Sequence, residues 1–313
     1  MVHRANAAPA RRKAGGFMAD VIILGCGPAG VSAALYTARA GLDTLILGKT
    51  GGSLLKTDKI ENYYGFPEPV SGRKLLENGA AQARRVGAKI VEDEAVGITF
   101  DGQFAVNTAS ETYHSPFAVL ATGSQRKSPG LTGLADFEGR GVSYCAVCDG
   151  FFYRGKNVAV LGAGDYALHE AKELLPLAAK VTILTDGAEP AADFPSELAV
   201  ETKKLESLFG GDLLRGARFA DGTELAVEGV FVALGVAGSV DFARKLGVET
   251  NGSSIVVDEH RQTNVPGLYA AGDCTGGLLQ ISKAVCDGAI AGTSVVKAFR
   301  QAEPAHTPRR SER

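Results

Sequence analysis

The sequence has no apolar run near the roughly 20 residues that a membrane-spanning helix requires, since Gly, Asp or Lys interrupts every apolar stretch within about ten residues. It also lacks an excess of charge of either sign: the net charge is -2, which gives no indication of nucleic-acid binding. Residues 1–17 are basic but contain no apolar stretch, so they do not form a secretory signal. We therefore expect a soluble, cytoplasmic protein.

Cysteine is scarce, and among the five in the chain only Cys145 and Cys148 form a close pair. In a reducing compartment, thiols at this spacing are catalytic or bind metal rather than acting as structural disulfides. A zinc site would need two further ligands at similar spacing, but Cys26, Cys274 and Cys286 are isolated. The pattern predicts a redox-active dithiol and no metal site.

Two strand-turn-helix-strand units indicate an α/β fold. The apolar run Val21–Leu24 leads into the glycine turn Gly25–Gly30 and a helix-like stretch, and the apolar run Thr44–Leu47 follows. The same order recurs from Asn157–Leu161, through G-A-G-D-Y-A, to Val181–Thr185. Parallel strands of such units are buried by helices on both faces. A chain of 313 residues can form two cores, so we predict two three-layered, Rossmann-like dinucleotide-binding domains.

The glycines of the first turn have the spacing of a dinucleotide-binding fingerprint. Gly25 would permit a tight turn, Gly27 would let a pyrophosphate approach the backbone, and Gly30 would let the helix pack closely on the strand. The helix N-terminus would then supply an anion site. The alternative is a glycine turn that only packs well.

Asp273 ends a second informative pattern, G-L-Y-A-A-G-D. An apolar strand delivers this acid to a glycine turn shortly before Gln280, Ile281 and Ser282. A carboxylate in that place can accept hydrogen bonds from sugar-alcohol hydroxyls. The alternative for Asp273 is an Asx turn or a helix N-cap.

The string C-A-V-C-D-G-F-F-Y-R-G-K, beginning at Cys145, closely resembles the dithiol segment of low-molecular-weight thioredoxin reductases, and the resemblance runs from Asp20 to Arg300. It implies a flavin-dependent thioredoxin-disulfide reductase with FAD as cofactor, thioredoxin as substrate and a homodimeric assembly. In such reductases an acid at the position of Asp273 holds the ribityl chain, and the following helix N-terminus faces the isoalloxazine.

The resemblance also implies roles for the dithiol segment. Cys148 would face the flavin, Cys145 would attack the disulfide of the protein substrate, and Asp149 would move protons. For Asp149 the alternative is a turn or N-cap residue. Because the dithiol must reach both a buried flavin and a bulky protein, the second domain is expected to rotate between two positions.

The FAD contacts implied by the resemblance lie in four parts of the sequence: the first glycine turn, the segment after the second strand, the end of the first half-domain, and the region around Asp273. They are Gly25, Gly27, Pro28, Ala29, Gly30, Gly48, Lys49, Gly52, Ser53, Leu54, Asn62, Thr122, Gly123, Asp273, Gln280, Ile281 and Ser282.

The return of a buried strand before Asp273 predicts that the second domain is inserted into the first. We divide the chain into a disordered extension (1–17), the first half of the FAD-binding domain (18–125), an NAD(P)H-domain-like domain that carries the dithiol (126–238), the second half of the FAD-binding domain (239–300) and a disordered tail (301–313).

The match to the family is weaker at both cofactor loops. Gly48 and Lys49 stand where an acid often holds the ribose. In the second fingerprint Tyr166 replaces a small residue and would fill the space needed by a pyrophosphate and nicotinamide. His169, interpreted as a helix-surface residue, stands where an acid is common.

The loop after the second fingerprint contains no arginine from residue 186 to residue 214. A 2'-phosphate needs positive, preferably bidentate partners, whereas this loop offers Asp186, Glu189 and Asp193. NADPH is therefore not the predicted donor. The chain in this respect resembles the ferredoxin-dependent flavin thioredoxin reductases, which lack NADPH motifs, so ferredoxin is the predicted donor.

Three alternatives remain open from the sequence. Asp186 would accept the ribose diol of NADH in an NADH-linked reductase. A dithiol oxidase would pass electrons to oxygen, and a flavin-binding scaffold would have no catalytic dithiol. The first two differ from the main hypothesis in what reduces or oxidises the flavin, and the third differs in having no dithiol reaction.

Overall fold

A computed structural model describes residues 11–13, 16–49, 52–123, 130–234 and 238–302. Up to residue 123 its helices and strands are, in chain order, β1 (Arg11–Lys13), β2 (Gly16–Met18), β3 (Val21–Leu24), α1 (Pro28–Arg39), β4 (Thr44–Leu47), a 3-10 turn (Ser53–Lys56), α2 (Gly72–Arg85), β5 (Lys89–Val91), β6 (Ala95–Phe100), β7 (Phe104–Thr108), β8 (Thr112–Ser115) and β9 (Phe117–Leu120).

The middle part of the chain follows from residue 130 to residue 234. Its elements are β10 (Val142–Ser143), α3 (Ala146–Asp149), a 3-10 turn (Gly150–Tyr153), β11 (Asn157–Leu161), α4 (Asp165–Leu174), β12 (Lys180–Leu184), β13 (Ala199–Glu201), β14 (Leu205–Gly210), β15 (Leu214–Phe219), β16 (Glu224–Ala226) and β17 (Gly229–Val232). The last part contains α5 (Ser239–Lys245), β18 (Thr250–Asn251), β19 (Ser254–Ile255), β20 (Leu268–Ala270), a 3-10 turn (Asp273–Thr275) and α6 (Ile281–Ala302).

The first domain is built on a parallel sheet in the order β20-β9-β3-β4-β5. Strands β3, β4 and β9 are apolar apart from Thr44 and are buried along their whole length, as central strands of a parallel sheet covered on both faces should be. β20, from the C-terminal part, pairs with β9, from the N-terminal part. The domain is therefore assembled from both ends of the chain.

The second domain lies between those two halves in sequence. Its parallel sheet has the order β10-β17-β11-β12-β13, and β14, β15 and β16 form a separate antiparallel sheet. The predicted fold class, two Rossmann-like domains with the second inserted into the first, is confirmed. The predicted boundary at residues 125 and 126 lies outside the described residues.

Helices α1 and α6 pack closely because α6 has glycine where they touch. A Cβ placed on Gly288 would lie 2.1 Å from Ala29 O, and one on Gly292 would lie 2.5 Å from Ala33 O. The middle of α6 thereby lies close against the first half of α1. Among the described residues, no helix is long and apolar enough to cross a bilayer.

The N-terminal extension was predicted to be disordered, but part of it forms strands. β1 pairs antiparallel with β2, and β2 joins the sheet of β6, β7 and β8 by pairing in parallel with β8. The ring of Phe17 stacks on Tyr113 with centroids 5.7 Å apart, so Phe17 and Met18 give this segment apolar surface to bury. Residues 1–10 and 14–15, and 303–313 of the predicted tail, lie outside the described part of the chain.

Candidate active site

The first glycine turn has the geometry of a phosphate site. Gly25 has φ 115°, and a Cβ there would lie 2.3 Å from Ala121 O, while a Cβ on Gly30 would lie 1.9 Å from Gly25 O. Gly27, by contrast, has open space within 4 Å. The N-cap Gly27 provides no side-chain hydrogen bond to α1, which begins with Pro28. Bare backbone and an uncapped helix N-terminus fit the pyrophosphate of a dinucleotide.

The turn that carries Asp273 lies against the same end of α1. Gly272 has φ 86°, and a Cβ there would lie 2.8 Å from the Cβ of Ala29. Asp273 is therefore close to the predicted pyrophosphate site. Burial raises the pKa of Asp273, whereas the Lys283 ammonium opposes that shift.

Two of the predicted flavin contacts touch directly. Asn62 Nδ2 donates to Gln280 Oε1 at 3.0 Å, which joins the loop before α2 to the residue before α6. Ile281 and Ser282 are the first two residues of α6. Nothing in α6's first turn is acidic, so its N-terminus remains electropositive.

The segment after β4 contributes backbone rather than charge. Gly48 has φ 153° and lies beside the first turn, since a Cβ there would be 3.2 Å from Gly25 Cα. Lys49 pairs with Glu94 at 3.4 Å and is largely exposed. Gly52 has φ 90° with open space around it. The side chain of Ser53 lies outside the described residues.

Leu54 and Thr122 have structural contacts that their sequence context did not reveal. A Cβ on Gly72 would lie 1.9 Å from Leu54 O, so the backbone at Leu54 packs on the start of α2. Thr122 Oγ1 accepts from Ser239 N at 2.7 Å, and Thr122 N donates to Ser239 Oγ at 3.0 Å. Thr122 thus joins the two halves of the first domain. Gly123 follows with φ 84°. That these residues bind FAD stays a prediction.

The dithiol is present as a Cys145–Cys148 disulfide with Cα atoms 5.3 Å apart. Cys145 is the N-cap of α3, and its sulfur accepts from Cys148 N at 3.1 Å. A helix N-terminus stabilises a thiolate, which suits Cys145 to nucleophilic attack. Cys145 is nevertheless buried and Cys148 exposed, so a protein substrate reaches Cys145 only after a rearrangement.

Ser143 connects the dithiol with the predicted acid. Ser143 Oγ donates to Asp149 Oδ2 at 2.6 Å and accepts from Cys145 N at 3.1 Å. Asp149 is half-buried beside the disulfide and is held in one orientation by this bond. Ser143 was not among the predicted site residues, because a serine two residues before a cysteine carries no distinctive signal.

A buried ion pair joins the two domains behind the dithiol. Lys245, on α5, pairs with Glu170, on α4, and the two side chains are 2% and 1% exposed. Glu170 also accepts from Ala146 N at 2.8 Å, at the start of α3. Neighbouring His169 packs on Gly97 of β6, and burial lowers its pKa. His169 therefore lies in the contact between domains rather than on a helix surface.

The second glycine turn keeps its tight backbone, but the loop after β12 lies against its middle residue, Ala163. A Cβ on Gly162 would lie 2.2 Å from Ala233 O, whereas Gly164 has open space. Ala191 N and Ala192 N, from the loop after β12, donate to Ala163 O at 2.7 and 3.2 Å. The loop thus folds onto the turn. Tyr166 is 3% exposed, and burial raises the pKa of its hydroxyl well above the usual value.

Comparison with known proteins gives a consistent picture. Residues 19–288 match the family of pyridine nucleotide-disulphide oxidoreductases. The chain is 36% identical over 297 residues to thioredoxin reductase of Listeria monocytogenes, which covers 89% of this chain and 93% of that protein. It is 37% identical over 275 residues to the thioredoxin reductase of Aquifex aeolicus, with coverage of 81% and 84%.

Solved structures agree with the sequence relatives. The atypical thioredoxin reductase TRi from Desulfovibrio vulgaris Hildenborough is similar with a TM-score of 0.86 and 43% identity, covering 91% of this chain and 99% of that one. A ferredoxin-flavin thioredoxin reductase from Clostridium acetobutylicum gives a TM-score of 0.69 and 30% identity over the same shares. The predicted family and its cofactor, FAD, are confirmed: the chain belongs to the thioredoxin reductase family of FAD-binding pyridine nucleotide-disulphide oxidoreductases.

Proposed function

We propose that this enzyme passes electrons from reduced ferredoxin, through FAD and the Cys145/Cys148 dithiol, to thioredoxin, and that neither NADPH nor NADH is its donor. The observation that carries the proposal is the loop after β12, which lies on the middle residue of the second glycine turn. Ala163 O, at the centre of that turn, already accepts from two backbone amides of the following loop. A dinucleotide pyrophosphate needs that turn open to approach its backbone.

Asp186 argues against NADH, because both of its carboxylate oxygens are engaged. Oδ2 accepts from Lys204 Nζ at 2.8 Å, and Oδ1 accepts from Leu205 N at 2.9 Å. A ribose diol would have to displace both bonds. Asp186 also has φ 54°, a conformation fixed by this local network.

Tyr166 and Glu170 lie on α4, the helix that would face a nicotinamide, and Lys245 of α5 contacts both. The Lys245 ammonium lies 5.2 Å from the centroid of the Tyr166 ring. Among the described residues, the Tyr166 hydroxyl has no hydrogen-bond partner, so the ring is there as packing volume. The Tyr166 ring and Lys245 of the first domain thus fill space that a donor nucleotide would need.

Ferredoxin is chemically suited to the role. The similar protein from Clostridium acetobutylicum is a ferredoxin-flavin thioredoxin reductase, and we propose the same donor for this chain. Plant-type iron-sulfur clusters have potentials near about -400 mV, below about -270 mV for thioredoxin. The difference corresponds to roughly 6 kcal/mol for a two-electron transfer, so reduction of thioredoxin is downhill.

FAD, when bound, accepts electrons singly and delivers a pair to a disulfide. Two electrons and two protons then convert the Cys145–Cys148 disulfide into two thiols. The Cys145 thiolate attacks the thioredoxin disulfide, expelling one thioredoxin thiolate and forming a mixed disulfide. The Cys148 thiolate attacks Cys145, which restores the disulfide and releases reduced thioredoxin. Asp149, oriented by Ser143, is placed to exchange a proton with this dithiol.

An apolar surface next to the dithiol supports a protein substrate. Val147, Phe151 and Phe152 are 53%, 66% and 69% exposed, and they surround the exposed Cys148 in sequence. Exposed aromatic residues at one place are typical of a protein contact. The homodimer implied by the family resemblance remains a prediction that sedimentation would check.

The test is an anaerobic titration of the FAD-loaded enzyme, followed by flavin absorbance. We expect reduced ferredoxin to bleach the flavin and, with thioredoxin present, to generate thioredoxin thiols, whereas NADPH and NADH leave the flavin oxidised. Rapid bleaching by either nicotinamide would contradict the proposal. Peroxide production from a small dithiol and oxygen, without ferredoxin turnover, would instead indicate a dithiol oxidase.

Two matched variants locate the failure if turnover is absent. Cys145→Ser should still permit flavin bleaching by ferredoxin but abolish thioredoxin reduction. Cys286→Ser removes an exposed thiol outside the dithiol and should retain full turnover. Loss of both activities in Cys286→Ser would mean that the electron path differs from the one proposed.

A further inference from the structure

One buried charge and two partly buried charges meet beneath the turn that carries Asp273. Lys283 lies in the first turn of α6 and Asp287 one turn later, with side chains 18% and 1% exposed. Arg261, from the loop before β20, reaches the same carboxylate. Burying charges costs free energy unless they are well paired. The dithiol chemistry makes no use of these residues, so they need another explanation.

Lys283 holds both sides of Asp273. Its ammonium donates to Gly272 O at 2.8 Å and to Thr275 Oγ1 at 2.7 Å. Gly272 immediately precedes Asp273, and Thr275 ends the same 3-10 turn. The ammonium also lies 2.8 Å from Asp287 Oδ2. One side chain therefore connects the turn to α6.

Asp287 links the backbone of Gly272 to Arg261. It accepts from Gly272 N at 3.1 Å and lies 2.9 Å from Arg261 Nε. Arg261 adopts φ 62°, in the left-handed region where residues other than glycine are strained. In that conformation its side chain pairs with a carboxylate that is 1% exposed.

The position of Lys283 is unfavourable by itself, because the N-terminus of a helix repels a cation. It is balanced here by two carboxylates: the four charges of Arg261, Lys283, Asp273 and Asp287 sum to zero. Asp273 and the N-terminus of α6 are the parts predicted to meet the flavin. The net charge of these four groups therefore affects how readily the flavin accepts electrons.

We propose that Lys283 is a positioning residue for FAD, which holds the Asp273 turn against α6 and offsets the negative charge of the two aspartates, thereby setting both FAD affinity and the flavin midpoint potential. The proposal rests on the assignment of Asp273 as a flavin contact. It is independent of which donor reduces the enzyme.

The test measures FAD dissociation constants and spectroelectrochemical midpoint potentials of purified variants. Lys283→Met leaves a net charge of -1, so we expect FAD binding at least tenfold weaker and a more negative potential. For a two-electron couple, each tenfold loss of reduced relative to oxidised FAD affinity is about 30 mV. Asp287→Asn leaves a net charge of +1 and should shift the potential in the opposite direction.

Opposite shifts separate this role from simple structural support, which would weaken FAD binding in both variants without a change of sign. Arg261→Gln, at a partly exposed side chain, should shift the potential in the same direction as Lys283→Met and serves if that variant does not fold. If folded Lys283→Met keeps its FAD affinity and midpoint potential while Asp273→Asn loses FAD, the proposal for Lys283 is overturned and the flavin assignment of Asp273 stands. Unchanged FAD binding in Asp273→Asn would overturn the flavin assignment and the proposal with it.

Discussion

At the scale of single residues, Ser143 ties the predicted acid to the dithiol through two short contacts. Its hydroxyl donates to Asp149 and accepts from the backbone of Cys145, so it fixes the acid relative to the residue predicted to attack thioredoxin. A carboxylate that transfers a proton works only within hydrogen-bond reach of its partner. The geometry at Asp149 therefore depends on a side chain that is not itself an acid or a base.

Replacing Ser143 should slow the thiol chemistry without abolishing FAD binding. We expect Ser143→Ala to lower thioredoxin turnover roughly tenfold, equivalent to about 1.4 kcal/mol, and Asp149→Asn to lower it further. Steady-state assays of both single variants and the double variant give the test. If Ser143 acts through Asp149, the double variant loses no more than Asp149→Asn; additive losses would refute that dependence.

Cys274 is the second residue with a measurable consequence. Burial raises the pKa of its thiol to about 11, from an ordinary value near 9. A raised folded-state pKa stabilises the protein below pH 9 and loses that contribution as the pH rises toward 11, on the order of 2 kcal/mol in all.

Urea unfolding at pH 8 and pH 10.5 checks this dependence. We expect the fall in unfolding free energy to be smaller in Cys274→Ala than in the unmodified protein, since Lys and Tyr titrations are common to both. Alkylation of the oxidised native protein should modify the exposed Cys286 well before Cys274. An equal pH dependence in the two proteins would show that Cys274 does not contribute.

At the scale of elements, the packing of α1 on α6 and the opening of the first glycine turn depend on different glycines. Gly288 touches Ala29 O, whereas Gly27 faces open space in an extended conformation. A methyl group at Gly288 must push the two helices apart. A methyl group at Gly27 meets only what binds there.

Alanine substitutions should therefore separate stability from cofactor binding. We expect Gly288→Ala to lower the unfolding free energy of the FAD-free protein by about 2 kcal/mol through overpacking. Gly27→Ala should leave that free energy within about 0.5 kcal/mol and weaken FAD binding more than tenfold. Thermal unfolding and FAD titration measure the two effects. Full FAD affinity in Gly27→Ala would remove the pyrophosphate assignment.

Some structural elements could be predicted from the sequence and others could not. The glycine turns and the two parallel sheets were predictable, because turn spacing and continuous apolar runs are local properties of the chain. The Thr122–Ser239 contact was not, since it joins two halves of one domain that are far apart in sequence. The Glu170–Lys245 contact was not, since it depends on how the inserted domain meets its host. The order at Phe17 could not be predicted, because its apolar partner, Tyr113, belongs to a distant strand.

At the scale of the whole molecule, the Glu170–Lys245 pair fixes the observed arrangement of the two domains. Both side chains are buried, and Glu170 also holds the start of α3, where the dithiol lies. Removing one partner leaves an uncompensated buried charge, which costs about 3–5 kcal/mol. Replacing both with neutral groups costs much less.

A double-mutant cycle should show this coupling. We expect Glu170→Gln and Lys245→Met to lower the unfolding free energy by about 3 kcal/mol each, and the double variant to recover part of the loss. Glu170→Gln should also expose Cys145, so its alkylation in the reduced enzyme should be faster. Additive destabilisation with unchanged alkylation would show that the pair does not hold the domains together.

The loop that lies on the second glycine turn limits how this reductase could be re-engineered. Donor preference in an open nucleotide pocket can be changed by exchanging side chains at its rim. In this protein Glu189→Arg and Asp193→Arg would place cations beside a turn whose backbone is already bonded to Ala191 and Ala192. We expect such a charge-only design to gain no NADPH oxidation. A designer would first have to move the main chain after β12, so a change of donor would require a change of backbone and not only of side chains.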